Sequence, residues 1–165
     1  MIFLTVGNWH KGFNRLVKAV DDLKGCHAIT EEIIAQIGPG SYKPKYFTAM
    51  AFCSTDDFVS NIKAARVVIT HAGIGTISQA AKLKKPVIVV PRKASLGEHF
   101  DDHQFSTAKV LETEGKVLVA YEISELPDKL DQAKNFVPTK GEDCERIIQA
   151  VRTFIEKIAS QKGKH

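Results

Sequence analysis

The chain has 165 residues, 44% of them apolar and 25% charged. This composition excludes a disordered, collagen-like or coiled-coil chain and predicts one compact domain over residues 1–165. The net charge is only +4 and no nucleic-acid-binding motif is present, so we expect no nucleic acid partner. No apolar run approaches the ~20 residues of a membrane span. The cysteines (Cys26, Cys53 and Cys144) are scattered, which predicts a reducing, cytoplasmic setting.

Short apolar runs alternate along the chain with segments of helical periodicity. This alternation predicts an α/β domain built on a doubly wound, mostly parallel six-stranded sheet. The predicted strands are residues 2–6, 33–37, 46–50, 67–70, 87–90 and 116–120. Right-handed crossovers favour the strand order 3-2-1-4-5-6, which makes strands 1 and 4 neighbours where the order reverses.

Five helices are predicted around this sheet. Their approximate extents are residues 13–23, 55–65, 75–83, 101–114 and 143–160. The second follows a capping signal, Ser54-x-x-Asp57. The last carries a stripe of large apolar residues at helical spacing, namely Ile147, Ile148, Val151, Phe154, Ile155 and Ile158.

The loops after predicted strands 1, 4 and 5 contain most of the unusual polar and glycine positions. They are residues 7–12, 71–76 and 91–97, and the last continues into the polar segment 98–104. Ligands of open parallel sheets bind beyond the carboxyl ends of the strands. We therefore expect these loops to face one crevice.

Gly73 and Gly75 lead from strand 4 directly into a predicted helix. Glycine lets the backbone approach a phosphate closely, and the free amides of a helix N-terminus attract an anion. Thr76 adds a hydroxyl group. The alternative is that both glycines only permit a tight turn.

The same glycines, with Ser78, resemble part of a dinucleotide-binding fingerprint. An NAD site would place Asp or Glu at the end of the next strand, but Pro91-Arg92 stands there. This argues against an NAD-dependent enzyme and leaves NADP as a minor alternative.

Segment 98–104 permits three interpretations. His99, Asp102 and His103 would share one helical face and could ligate a metal. Glu98, His103 and Gln104 could instead contact sugar hydroxyls, which we favour. In the third interpretation the aspartates only favour a helix N-terminus and the histidines are simply exposed.

Together these segments resemble the donor-binding, C-terminal half of MurG-like GT-B glycosyltransferases of the family 28 type. The resembling motifs are FLTVG with FxRLV, AQIG, VVITHAGIGT, KPxIVVPR and GEHFDDHQ, within about residues 1–120. They are most similar to the short bacterial subunits of capsule and exopolysaccharide synthesis, the PssE/EpsF-like group.

The resemblance implies a UDP-sugar donor and a set of nucleotide-sugar-binding residues. Gly73, Ile74, Gly75 and Thr76, with Gly7 and Asn8, would hold the diphosphate. Gln79 stands where the family usually carries a glutamate on the ribose hydroxyls. His103 and Gln104 would read the donor sugar with Glu98, and Arg92 would help the helix ends to neutralise the leaving diphosphate. No cofactor and no divalent metal would be required.

The resemblance also implies that this chain is only the donor half of an enzyme. The acceptor half, with the catalytic base, would be a separate membrane-anchored subunit, and the acceptor a lipid-linked sugar. This chain would then lie at the inner face of the plasma membrane through its partner. The stripe of helix 143–160 would either pack on the sheet or dock to that partner. The alternative function is a non-catalytic nucleotide-binding subunit that stabilises a partner glycosyltransferase.

Overall fold

The computed structural model describes residues 1–139. The strands are β1 Ile2–Thr5, β2 Ile33–Gln36, β3 Thr48–Met50, β4 Val67–Thr70, β5 Val87–Val89 and β6 Leu118–Val119. The helices are α1 Asn14–Gly25, α2 Thr55–Ala64, α3 Ile74–Lys82, α4 His103–Thr113 and α5 Leu126–Gln132. Short 3-10 turns occupy Ala94–Leu96 and Ile123–Glu125. The predicted helix 143–160 lies outside the described residues.

The six strands form one sheet in the order β3-β2-β1-β4-β5-β6. This order and the α/β fold class are confirmed, and every strand pairing in the described part of the chain is parallel. β1 and β4 are central neighbours, with Thr5 opposite Thr70 in register. The carboxyl ends of β1, β4 and β5 therefore lie side by side at one edge of the sheet.

Buried side chains cover both faces of the sheet. Alternate residues of a strand point to opposite faces, and Leu4 belongs to a core cluster that includes Leu16 of α1 and Leu126 of α5. Its neighbour Phe3 belongs to the other cluster, with Ile77 of α3. β1, β4 and β5 are largely apolar runs because both of their faces are buried.

Some element boundaries differ from the sequence prediction, and one helix was missed. β3 begins at Thr48 and not at residue 46, because the amides of Lys45 and Tyr46 donate to the buried carboxylate of Asp21 on α1. α5 was not predicted at all. It has only seven residues, with a proline in its first turn, so it offers too short a periodic pattern to be recognised.

α4 begins at His103, two residues later than predicted. Asp101 Oδ1 accepts a hydrogen bond from the His103 amide, and Asp102 Oδ1 accepts one from the Ala94 amide. Such side-chain-to-backbone bonds compete with helix formation. Within residues 1–139, no helix combines the length and the apolarity that crossing a bilayer would require.

Candidate functional site

The loops after β1 and β5 are joined by direct contacts. The guanidinium of Arg92, after β5, donates to the carbonyls of Val6 (2.8 Å) and Gly12 in the segment after β1. It also reaches the carbonyl of Glu98 at 3.4 Å. The expected crevice is therefore built of segments that hold one another in place.

His71, directly after β4, lies between two glycine turns. A Cβ on Gly7 would stand 2.8 Å from the His71 ring, and a Cβ on Gly73 would come closer still. Gly7 also has a φ of +70°, which side chains rarely adopt. Gly7 is thus required by its turn and by the packing of His71, whereas Gly73, with a φ of −85°, is required by the packing alone.

The His71 ring is kept neutral by its surroundings. Burial, and then the positive charge of Arg92, lower the pKa of His71 to about 4. Its ring can therefore donate or accept one hydrogen bond at neutral pH without carrying charge. No role is predicted for His71 from the sequence, although its position at the end of a central strand is a usable signal.

The first turn of α3 opens toward solvent. Gly73 is the N-cap residue, no side chain caps the helix and its first turn contains no acidic residue. Ile74 is exposed, and a Cβ on Gly75 would meet nothing within 4 Å. The backbone amides of this turn, with the half-buried Thr76, are thus free to meet an anion.

Arg92 is placed differently from what was expected. Its side chain is fully buried and stacks on the ring of Phe13, 4.5 Å from the centroid. Burial lowers the pKa of Arg92 to about 10, so it stays charged at neutral pH. The guanidinium donates to backbone carbonyls of the loops and does not face the crevice, so direct neutralisation of a diphosphate is not the role its geometry favours.

Segment 98–104 contains the predicted sugar-contacting set, in which His103 is exposed, Glu98 is partly buried and Gln104 is buried. Glu98 forms an ion pair with Arg15 at 2.8 Å and accepts a hydrogen bond from the Lys93 amide. Gln104 is buried, and its Oε1 accepts from the Arg92 amide at 3.1 Å. This leaves for a ligand the Gln104 amide nitrogen and the Nε2 of the exposed His103 ring, whose Nδ1 contacts Asp101.

Asn8 is held in its loop by two buried polar residues. Gln36, the last residue of β2, donates from Nε2 to Asn8 Oδ1 at 3.0 Å. Gln36 Oε1 in turn accepts from the Thr5 hydroxyl at 2.9 Å. Gln36 and Thr5 are not among the residues predicted from the sequence, although two polar residues at the carboxyl ends of apolar strands are an identifiable signal.

The set of residues that could ligate a metal differs from the predicted one. Asp102 is engaged by the Ala94 amide and His99 precedes α4, so His99, Asp102 and His103 do not form one helical face. Among the described residues, the grouping that could hold a metal ion is His99, Asp101 and His103.

This architecture, an all-parallel doubly wound sheet with a crevice at its strand-order reversal, is that of the C-terminal halves of GT-B glycosyltransferases. A solved structure of MurG from Acinetobacter baumannii superposes with a TM-score of 0.54 and 20% identity, over 82% of this chain and 42% of that one. At this identity the similarity establishes the fold alone.

Residues 1–161 match the glycosyltransferase family 28 C-terminal domain, and the chain therefore belongs to this family. It is 31% identical over 123 residues to the mouse UDP-N-acetylglucosamine transferase subunit ALG13, covering 68% of this chain and 10% of the mouse protein. It is 32% identical over 100 residues to the UDP-N-acetylglucosamine–N-acetylmuramyl-(pentapeptide) pyrophosphoryl-undecaprenol N-acetylglucosamine transferase of Aquifex aeolicus, covering 60% of this chain and 27% of that enzyme. The match thus spans only a small part of these relatives.

Proposed function

We propose that this chain is the donor-binding subunit of a two-component glycosyltransferase that uses a UDP-sugar. The family match over residues 1–161 carries the proposal. The mouse relative is named as a subunit of a UDP-N-acetylglucosamine transferase. The Aquifex aeolicus relative is named as an N-acetylglucosamine transferase whose name begins with UDP-N-acetylglucosamine. We therefore take N-acetylglucosamine as the expected donor sugar.

The diphosphate would bind at the open first turn of α3. The amides of Ile74, Gly75 and Thr76 point out of the helix end, whose dipole favours a negative charge. Gly7, in the loop after β1, packs against the same His71 ring as Gly73, and Asn8 follows it in the chain. A neutral His71 can donate a hydrogen bond to a phosphate oxygen without first losing a counter-ion.

The nucleoside and the sugar would flank this anion site. Gln79 lies on α3, just over one helical turn beyond Gly75, and its amide can both donate to and accept from ribose hydroxyls. His103 and the amide nitrogen of Gln104 would meet the donor sugar. Arg92 and Glu98 would support this subsite through their contacts with the loops, as positioning residues.

Transfer to an acceptor hydroxyl requires a base, and neither His71 nor Glu98 is suited to that role. The pKa of His71 is about 4, and the Glu98 carboxylate is held by Arg15. We therefore propose that the base belongs to a membrane-anchored acceptor-binding subunit, and that this chain reaches the inner face of the membrane through it. We propose a lipid-linked sugar as the acceptor, and capsule or exopolysaccharide synthesis as the context. No divalent metal would be required if amides balance the leaving diphosphate.

A ligand panel tests the donor assignment. A compound that binds only the native chain raises its melting temperature, so we expect shifts with UDP and with UDP-N-acetylglucosamine and none with NADP. A shift with NADP alone would overturn the assignment.

A transfer assay tests the two-component proposal. The purified chain, supplied with UDP-N-acetylglucosamine and a lipid-diphosphate acceptor, should transfer no sugar on its own. Transfer by the chain alone at full enzymatic rate would contradict it.

A further inference from the structure

Three metal-binding side chains converge beside the crevice, on the segment that precedes α4. Asp101 Oδ1 lies 3.4 Å from His99 Nδ1 and forms a hydrogen-bonded contact with His103 Nδ1. One ligand atom from each of the three residues lies within 4.8 Å of the others. They come from one five-residue stretch, in which residues 99–102 form bends and His103 begins α4.

His99 supplies an independent observation that a ligand belongs here. Its side chain is only 9% exposed, and its Nδ1 is buried without a hydrogen-bond partner. A buried ring nitrogen without a partner is costly. The nearby Asp101 oxygen does not relieve this cost, because its position does not meet hydrogen-bond geometry.

The His99 ring is also held in a fixed orientation. The Trp9 ring stacks on it, with centroids 4.8 Å apart and planes 24° apart, and the Phe100 ring contacts it at 4.3 Å. The His103 ring stands edge-on to it at 4.8 Å. A metal-binding ring that is already oriented loses little conformational freedom on binding.

We propose that His99, Asp101 and His103 form a binding site for a divalent first-row transition metal ion such as Zn²⁺. Two imidazoles and one carboxylate are a usual protein ligand set for this ion, with a fourth position left to water. Ligand atoms around tetrahedral Zn²⁺ stand about 3.3 Å apart, from bond lengths of about 2.0–2.2 Å. The His99–Asp101 distance already matches this value.

His103 completes the site by a small movement. Its side chain is 53% exposed and that of Asp101 is 45% exposed, so both have room to turn. His103 Nδ1 must exchange its contact with Asp101 for the ion, which requires the ring tautomer without a proton on Nδ1. A neutral ring does this by carrying its proton on Nε2 instead.

Titration of the untagged full chain with Co²⁺ tests this site, because four-coordinate Co²⁺ gives intense visible absorption. We expect one equivalent to bind with this spectrum, and Zn²⁺ to displace it. The isosteric Asp101→Asn and the variant His99→Ala should each lose at least tenfold in affinity. His27→Ala, which removes an exposed histidine at the end of α1, should bind as the wild type does, and melting curves establish that each variant is folded.

Two results would overturn the site. One is the absence of Co²⁺ and Zn²⁺ binding in the folded chain. The other is binding that Asp101→Asn leaves unchanged, with thiolate charge-transfer bands that would assign the ion to a cysteine.

One consequence rests on the proposed function. His103 is also the proposed contact of the donor sugar, so a bound ion should weaken UDP-sugar binding and leave UDP binding unchanged. If the metal site is present and this competition is absent, the sugar role of His103 is wrong and the metal site stands.

Discussion

Arg15 of α1 and Glu98 form a two-point ion pair across 83 positions of the sequence, with Nε–Oε1 at 2.8 Å and Nη2–Oε2 at 2.9 Å. Arg15 also donates to the carbonyl of Pro91, and Glu98 accepts from the amide of Lys93. The pair therefore fastens the segment after β5 to α1, directly beside the crevice.

Removing this pair should destabilise the fold measurably. The two side chains are 20% and 11% exposed, and a charged hydrogen bond with little solvent around it is worth about 1–3 kcal/mol. Glu98→Gln should lower the free energy of unfolding in urea by this amount. The exposed pair Lys18–Asp22, with side chains 58% and 60% exposed, is the control, and Asp22→Asn should cost at most about 0.5 kcal/mol. Equal costs for the two variants would contradict the assigned role.

The two glycines at the start of α3 should respond differently to alanine. In Gly73→Ala the new Cβ would collide with the His71 ring, at a cost of about 1–3 kcal/mol in the free energy of unfolding. Gly75→Ala meets open space inside a helix and should stabilise by about 0.5–1 kcal/mol. Adding His71→Ala to Gly73→Ala should remove most of the collision, so the two changes should be non-additive. Additive effects in this double-mutant cycle would show that His71 does not occupy that space.

His71 should make the fold sensitive to mild acid. The pKa of His71 is about 4 in the folded chain and about 6.5 when unfolded, so between these values the unfolded state binds more protons. The free energy of unfolding should therefore fall as pH decreases from 6.5 to 4, by up to about 1.4 kcal/mol per unit from this residue. His71→Gln should lose this component. Parallel pH profiles for the two proteins, measured by urea unfolding, would refute the assignment.

Gln104 should distinguish donor sugar from nucleotide. Its amide nitrogen makes no hydrogen bond within the described part of the chain, and we assign it to the sugar. Loss of one such bond is worth about 0.5–1.5 kcal/mol, so Gln104→Ala should weaken UDP-sugar binding by about three- to tenfold in calorimetry and UDP binding much less. Because Gln104 also accepts from the Arg92 amide, the variant is first compared with the wild type by melting. Equal losses for both ligands would reject the sugar contact.

The sequence predicted the sheet well for a physical reason. Runs such as residues 67–70 and 87–90 are apolar at every position, which is typical of strands buried on both faces, and right-handed crossovers restrict how such strands are ordered. The convergence of three loops followed from this order. The predicted start of α4 was wrong because the side chains of Asp101 and Asp102 accept hydrogen bonds from nearby backbone amides. These bonds depend on local geometry that residue type does not reveal.

The hydrogen-bond partners of the side chains within the site could not be predicted from the sequence. Arg92 is a charged residue at the end of a strand, and its type alone suggests a ligand contact. Only the folded chain brings the carbonyls of Val6 and Gly12, some 80 positions earlier, around its guanidinium. Its burial, and the enclosure of His71 between two glycines, depend on such long-range contacts.

The most direct test of the central claim, that a diphosphate binds the open first turn of α3, is calorimetric titration of UDP into Gly75→Asp. The side chain has room at this position, so the fold should persist while its negative charge repels the ligand. We expect UDP affinity to fall by about tenfold or more. Ala81→Asp, which adds the same charge at an exposed position in the last turn of α3, should bind UDP as the wild type does. Unchanged UDP affinity in folded Gly75→Asp would contradict the account.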